Sequence, residues 1–383
     1  MKTAAVLIVV LLLGGCASAP PMPPVASLFD DTLFAPPALP VRAADALAVS
    51  PAMRGYLEQK GLIGGRLIDP KQALFHALYR QGELKLEYDA AVTRTAAEAF
   101  DARAGNCLAL VLMTGAFARE LGLGVRYQLA LGDDSWDRAG DLVVEVGHVN
   151  LTLLDGPRNV MGSLGQGSEM TIDFQPPHDG RVPRVRVLAE QTVVAMYLNN
   201  RAVEVLTHGA TSEAYWWVRA ALQHDPELLA AYLTLGVVYR RQNQPALADR
   251  ALARVVARQP DNVNAMANRV PVLHELGRHE EAAALEARLA QLDPHPPFSY
   301  FHDGMAALRA HRLDAARSLF AKEVERAPYR AEFQFWLAVT YLALNDVGRA
   351  RAHLVRAVEA STSRSDRALY AAKLDKLNAL GVH

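Results

Sequence analysis

A step of 34 residues runs through the second half of the chain and limits what it can fold into. Pro226, Pro260, Pro294 and Pro328 keep this step, and so do Ala214, Ala248, Ala282, Ala316 and Ala350. A single globular core does not put nine positions on one period. A supersecondary unit copied end to end does, each copy burying its apolar face against the next. The stretch "YLTLGVVYRRQNQPALADRALARVVARQP" holds two helical patterns. Small residues at Gly236 and Ala248 let these helices approach closely, and Pro260 stops the second.

The spacing of Tyr232, Leu235, Gly236, Tyr239, Ala248, Leu252 and Pro260 resembles the tetratricopeptide repeat pattern. Other copies are more worn: Val270 replaces a small residue and Glu286 an apolar one. About five units over roughly 195–360, with a closing helix from Ser365 to Leu380, would build an all-α superhelix across residues 191–383. The resemblance implies a protein or peptide ligand on its concave face.

The other end of the chain reads differently. Lys2, the apolar run from Ala4 to Leu13 and the small residues after it form a secretory signal over residues 1–15, too short to span a bilayer as a stable helix. "LGGC" at Leu13–Cys16 resembles the bacterial lipobox, which implies that Cys16 is acylated and becomes the first residue of a membrane-anchored lipoprotein. Ala17 after it, where inner-membrane retention would use Asp, implies the outer membrane, facing the periplasm. Residues 16–43 carry seven prolines between Pro20 and Pro40 without any period and read as a semi-extended tether, with structure expected from about Ala44. A formal charge of −1 offers nothing to a polyanion, so nucleic acid is not an expected partner.

Residues 44–190 read as an α+β domain. "AADALAVSPAMRGYLEQ" and "DPKQALFHALYRQGE" have helical periods, the second with Asp69 as N-cap and Pro70 in its first turn. After Val125 come "VRYQLAL", "DLVVEVGHVNLTLLDG", "EMTIDF" and "RVRVL", strand-like runs with no crossover helices between them. An antiparallel sheet against the preceding helix is the natural arrangement. That helix opens with "RAGNCLALVLMTG". With Cys16 lipidated, Cys107 has no disulfide partner within the chain, and a lone cysteine does not make a zinc site. It is either an inert core residue or a reactive thiol. Asn106 is a good N-cap, which puts Cys107 in the first turn, where helix dipole and unpaired amides favour a thiolate. His148, in an apolar strand, and Asp173, in "TIDF", are the candidate base and its orienting carboxylate; His178 and Asp155 are possible substitutes.

"GNCLALVLMTGAFARELGLGVRYQ", "GHVNLTLL" and "TIDF" resemble the bacterial transglutaminase-like superfamily, over roughly Leu84 to Phe174. The resemblance implies a papain/transglutaminase-like fold with Cys107 as nucleophile, His148 as general base and Asp173 orienting His148. Asn150 stands where many members have an aromatic residue, and Ala109 where an acidic or hydroxyl residue is common. The backbone N–H of Cys107 is a candidate oxyanion donor. No HExxH, Walker, dinucleotide or EF-hand motif occurs, so neither cofactor nor metal is expected. The chain therefore reads as an envelope lipoprotein with a cysteine-dependent amide acyl-transfer or hydrolysis domain and a repeat domain for protein binding, hydrolysis being favoured where water is abundant. The rival readings are an inactive domain on an envelope-assembly scaffold and a hydrolase of peptidoglycan peptides.

Overall fold

The structure, a computed structural model, describes residues 24–64, 68–80, 84, 86–90, 92–139, 142–155, 169–174 and 184–379, with side chains described except at 131–147. Cys16 and the signal segment lie outside these residues, as does His178. Among the described residues no helix is long and apolar enough to cross a membrane.

The N-terminal part is built around one helix. α1 (Pro51–Gln59), α2 (Pro70–Tyr79), the short strand β1 (Glu87–Tyr88), α3 (Ala96–Ala102) and the short strand β2 (Ala104–Gly105) precede α4 (Cys107–Glu120). Ser50, Asp69 and Thr95 cap α1, α2 and α3 with their side chains, the last in a capping box with Glu98. α4 has no polar stripe, because every residue from Cys107 to Ala118 is buried. It packs on a four-stranded sheet of β3 (Gly124–Ala139), β4 (Leu142–Leu154), β5 (Met170–Ile172) and β6 (Arg184–Leu188). The order is β5-β4-β3-β6 and each pairing is antiparallel, with a register shift between Ala130 and Ser135 of β3.

Five antiparallel helix pairs follow. They are α5 (Glu190–Thr207) with α6 (Thr211–His224), α7 (Leu229–Arg241) with α8 (Pro245–Arg258), α9 (Val263–Glu275) with α10 (His279–Leu292), α11 (Ser299–Arg309) with α12 (Leu313–Arg326), and α13 (Ala331–Ala343) with α14 (Val347–Glu359). α15 (Arg364–Ala379) closes the array against α14. The 34-residue step is the length of one such pair with its two turns. At Gly236 of α7 a Cβ would lie 2.6 Å from Leu252 Cγ of α8, so this crossing needs glycine. One continuous apolar core runs from the N-terminal domain through the first repeats to Val272, while Phe298, Phe301, Phe320 and Phe333 form a separate one. The break falls at α10, where Ala282 is the one buried residue, and at the proline-rich turn after it.

The array returns to the N-terminal domain at its far end. Ala90 N donates to Thr362 O at 3.2 Å, and Arg364 Nε donates to Glu87 Oε2 at 2.8 Å. The 86–90 segment is thereby held between the strand preceding Cys107 and the last turn of the repeats.

The tether expected over residues 16–43 is corrected from Pro24 onward. Val25–Leu28, Asp31–Leu33 and Ala43–Leu47 are 3₁₀ turns, and the first of these lies against α6 and α8. Phe34 stacks on Tyr215 with ring centres 3.9 Å apart. Tyr239 Oη donates to Leu28 O at 2.6 Å and accepts from Asp30 N at 3.1 Å. Trp216 Nε1 donates to Ala35 O at 2.6 Å and Gln242 Nε2 to Leu33 O at 2.9 Å. The 3₁₀ turns satisfy some backbone groups internally, such as Phe29 N to Ala26 O and Phe34 N to Asp31 O. Repeat side chains satisfy the carbonyls of Leu28, Leu33 and Ala35, and buried Leu28 and Phe34 supply the apolar anchor. Phe34→Ala is expected to destabilise the protein by about 3 kcal/mol in chemical denaturation, and to make the 24–43 segment cleavable by limited proteolysis while the repeats stay resistant.

Candidate functional site

Cys107 is the first residue of α4, and the local sequence explains why it is held there. Arg103 ends α3 in the left-handed region at φ 50°, which turns the chain into β2. β2 pairs in parallel with β1, and Gly105 O accepts from Asp89 N at 3.0 Å. A Cβ at Gly105 would lie 2.8 Å from the Cβ of Ala109, so this tight entry needs glycine. Asn106 then caps the helix, its Oδ1 accepting from Ala109 N at 2.9 Å. Its Nδ2 donates to Thr93 Oγ1 at 2.8 Å, and Thr93 N donates to Glu204 Oε1 of α5 at 2.6 Å. Arg201 Nη1 completes this buttress by donating to Glu204 Oε2 at 2.6 Å. Burial raises the Glu204 carboxyl above its ordinary value, although Thr93 and Arg201 pull it down.

Cys107 is buried, at 6% exposure. His148 lies inside β4, and Asp173 follows the last residue of β5. Ile172 pairs with Leu151, so the antiparallel register carries Asp173 toward Asn150 and His148. His148 Nε2 and Asp173 Oδ1 are 2.6 Å apart, and Asn150 Nδ2 donates to Asp173 Oδ2 at 3.0 Å. Phe174, next in the chain, has its ring centre 5.5 Å from that of Tyr79, whose hydroxyl is hydrogen-bonded to Thr114 of α4.

With Nε2 committed to Asp173, ring atom Nδ1 is buried and has no hydrogen-bond partner among the described residues. Cys107 acts on the same ring. Burial would push His148 down, but the hydrogen bond to Asp173 and its charge, with the nearby Cys107 acting in the same direction, reverse this and raise it to about 9. The structure therefore brings Cys107, His148 and Asp173 together. Asp155, the substitute carboxylate, is ion-paired with buried Lys71 instead. Among the described residues no group of three or more His, Cys, Asp or Glu side chains could hold a metal ion.

Three contributors were not singled out from sequence as parts of the site. Thr93 and Glu204 carry no local signal, because they act on the Cys107 helix from a distant loop and from the first repeat. Asn150 had one: His148, Asn150 and Thr152 alternate with the core residues Val149, Leu151 and Leu153, a polar row on one strand face.

Residues 233–297 and 303–365 match the tetratricopeptide repeat family model. Residues 233–365 of the C-terminal array are built of tetratricopeptide repeats. The type IV pilus assembly protein PilF of Pseudomonas aeruginosa is 30% identical over 121 residues, 31% of this chain and 48% of that protein. The chain thus spans about half the length of the curated relative it matches. Among solved structures, the thermophilic repeat protein TTC0263 of Thermus thermophilus overlays with a TM-score of 0.30 and 18% identity, over 47% of this chain and 98% of that one. YrrB, described as a repeat protein with an unusual peptide-binding site, overlays with a TM-score of 0.26 and 23% identity, over 47% and 92%. Overlays this loose add nothing to the sequence match. The family model begins at residue 233 and does not reach Cys107, His148 or Asp173.

The raised His148 makes stability depend on pH in one direction. A histidine whose folded value of about 9 lies above its ordinary 6.5 stabilises the fold fully below about pH 6.5, and this is lost as pH rises through about 9. Asp173→Asn should bring the His148 ring titration, followed by NMR, down toward its ordinary range and flatten the loss of stability between pH 6.5 and 9. An unmoved titration would remove Asp173 from this role.

Proposed function

We propose that this protein is an envelope lipoprotein, anchored through Cys16 and facing the periplasm, whose repeats form a scaffold for a protein or peptide partner. The repeat match supports this reading, and so does the similarity to a pilus assembly protein. The first pairs of the array share a core with the N-terminal domain and its far end is hydrogen-bonded to that domain, an arrangement suited to presenting a bound chain to it.

A second reading is carried by one observation, the 2.6 Å contact of His148 with Asp173 beside the thiol at the start of α4. We infer a papain/transglutaminase-like α+β domain that performs cysteine-dependent acyl transfer at an amide. In this chemistry the Cys107 thiol passes its proton to His148, the sulfur attacks the carbonyl carbon, and His148 gives that proton to the departing amine as the C–N bond breaks, leaving a thioester. Water then attacks, His148 takes its proton, the C–S bond breaks to release the acid, and His148 returns the proton to the sulfur to restore the thiol. Asp173 keeps Nε2 engaged so that Nδ1 serves the sulfur. In the scaffold reading alone, Cys107 is retained without turnover.

The two readings separate in the alkylation of Cys107 by iodoacetamide at pH 6, with glutathione as reference. An activated pair should react at least about tenfold faster than glutathione. A rate at or below that of glutathione would leave only the scaffold. Digestion of purified sacculi by the wild-type protein and not by Cys107→Ser would identify peptidoglycan peptides as substrate.

A further inference from the structure

Asn150 is buried, with 3% of its surface exposed, and its two amide atoms are in very different situations. Nδ2 donates to Asp173 Oδ2 at 3.0 Å, on the side of the carboxylate away from the oxygen that meets His148. Oδ1 is buried with no hydrogen-bond partner among the described residues. An unpaired buried carbonyl is unfavourable, so the side chain is held at a cost that only its other end offsets. Thr152, the next polar residue on the same strand face, does not share the task, since its hydroxyl is engaged with Gln128 and Thr171.

We propose that Asn150 is a positioning residue that pins the carboxylate of Asp173, so that one oxygen stays turned toward His148. This inference rests on reading Cys107, His148 and Asp173 as a reactive set. Asp173 lies one residue beyond the end of β5, where no strand pairing fixes its side chain. The last side-chain torsion of a carboxylate is soft. A second bond to the other oxygen fixes the plane. The amide donor also favours the ionised carboxylate, whose charge acts on the ring. The titratable groups acting on His148 are Asp173 and Cys107.

The test follows the His148 ring titration by NMR in the full chain for wild type, Asn150→Leu, Asn150→Ser, Asp173→Asn and the double variant Asn150→Leu/Asp173→Asn, with melting temperatures alongside. Leucine keeps the branched shape and removes the donor, whereas serine keeps a polar group that is too short to reach Asp173. Each single Asn150 variant should move the titration down from about 9 by roughly one unit. In the Asp173→Asn background the same change should move nothing, because Asn150 acts through that carboxylate. An unmoved titration with only a lower melting temperature would overturn the proposal, and so would an equal shift with and without Asp173. The titration is read whether or not Cys107 turns over. Slow alkylation of wild-type Cys107 would thus sink the catalytic reading and leave this result interpretable on its own.

Discussion

One hydrogen bond, between His148 Nε2 and Asp173 at 2.6 Å, decides what the buried cysteine can be. A thiol at a helix start is most often packing, and an imidazole in an apolar strand is most often a satisfied core residue. In the proposed reading they are joined through a carboxylate that takes one ring nitrogen, and the remaining nitrogen acts with the sulfur. Two strand registers and one helix cap converge to make this possible, and none of the three elements alone would suggest chemistry.

The repeats are built into this site and are not simply appended to it. Glu204 of the first repeat helix holds Thr93, Thr93 holds Asn106, and Asn106 caps the helix that begins with Cys107. At the other end of the array, Thr362 and Arg364 hold the segment that pairs with the strand before Cys107. The array and the candidate site share a frame, so a ligand that altered the curvature of the repeats would act on elements contiguous with the thiol. The docked 24–35 segment adds a third attachment, on the helices of the first two pairs.

The parts legible in sequence were those set by local rules. The step of 34 exposed the helix pairs because each repeat makes nearly the same contacts as the one before it. Asn106 announced a helix start through the short range of its capping bond, as did Asp69. The Pro/Ala-rich segment misled because composition describes the isolated chain, whereas the hydrogen bonds that dock it come from Tyr239, Trp216 and Gln242, far along the sequence in the repeats. The engagement of Asp173 by Asn150 was hidden for a similar reason. It depends on the β4–β5 register, and nothing in either strand's own pattern fixes how they align. The order Cys107, His148, Asp173 suggested a set, and only coordinates supply the distances.

The most direct measurement is an experimental structure of the reduced protein at a resolution that places the Cys107 sulfur and the His148 ring. The account predicts the sulfur within about 4 Å of Nδ1, with Nε2 still on Asp173. A sulfur enclosed by hydrocarbon, with the ring turned to another partner, would contradict it and leave a tethered repeat scaffold without a reactive centre.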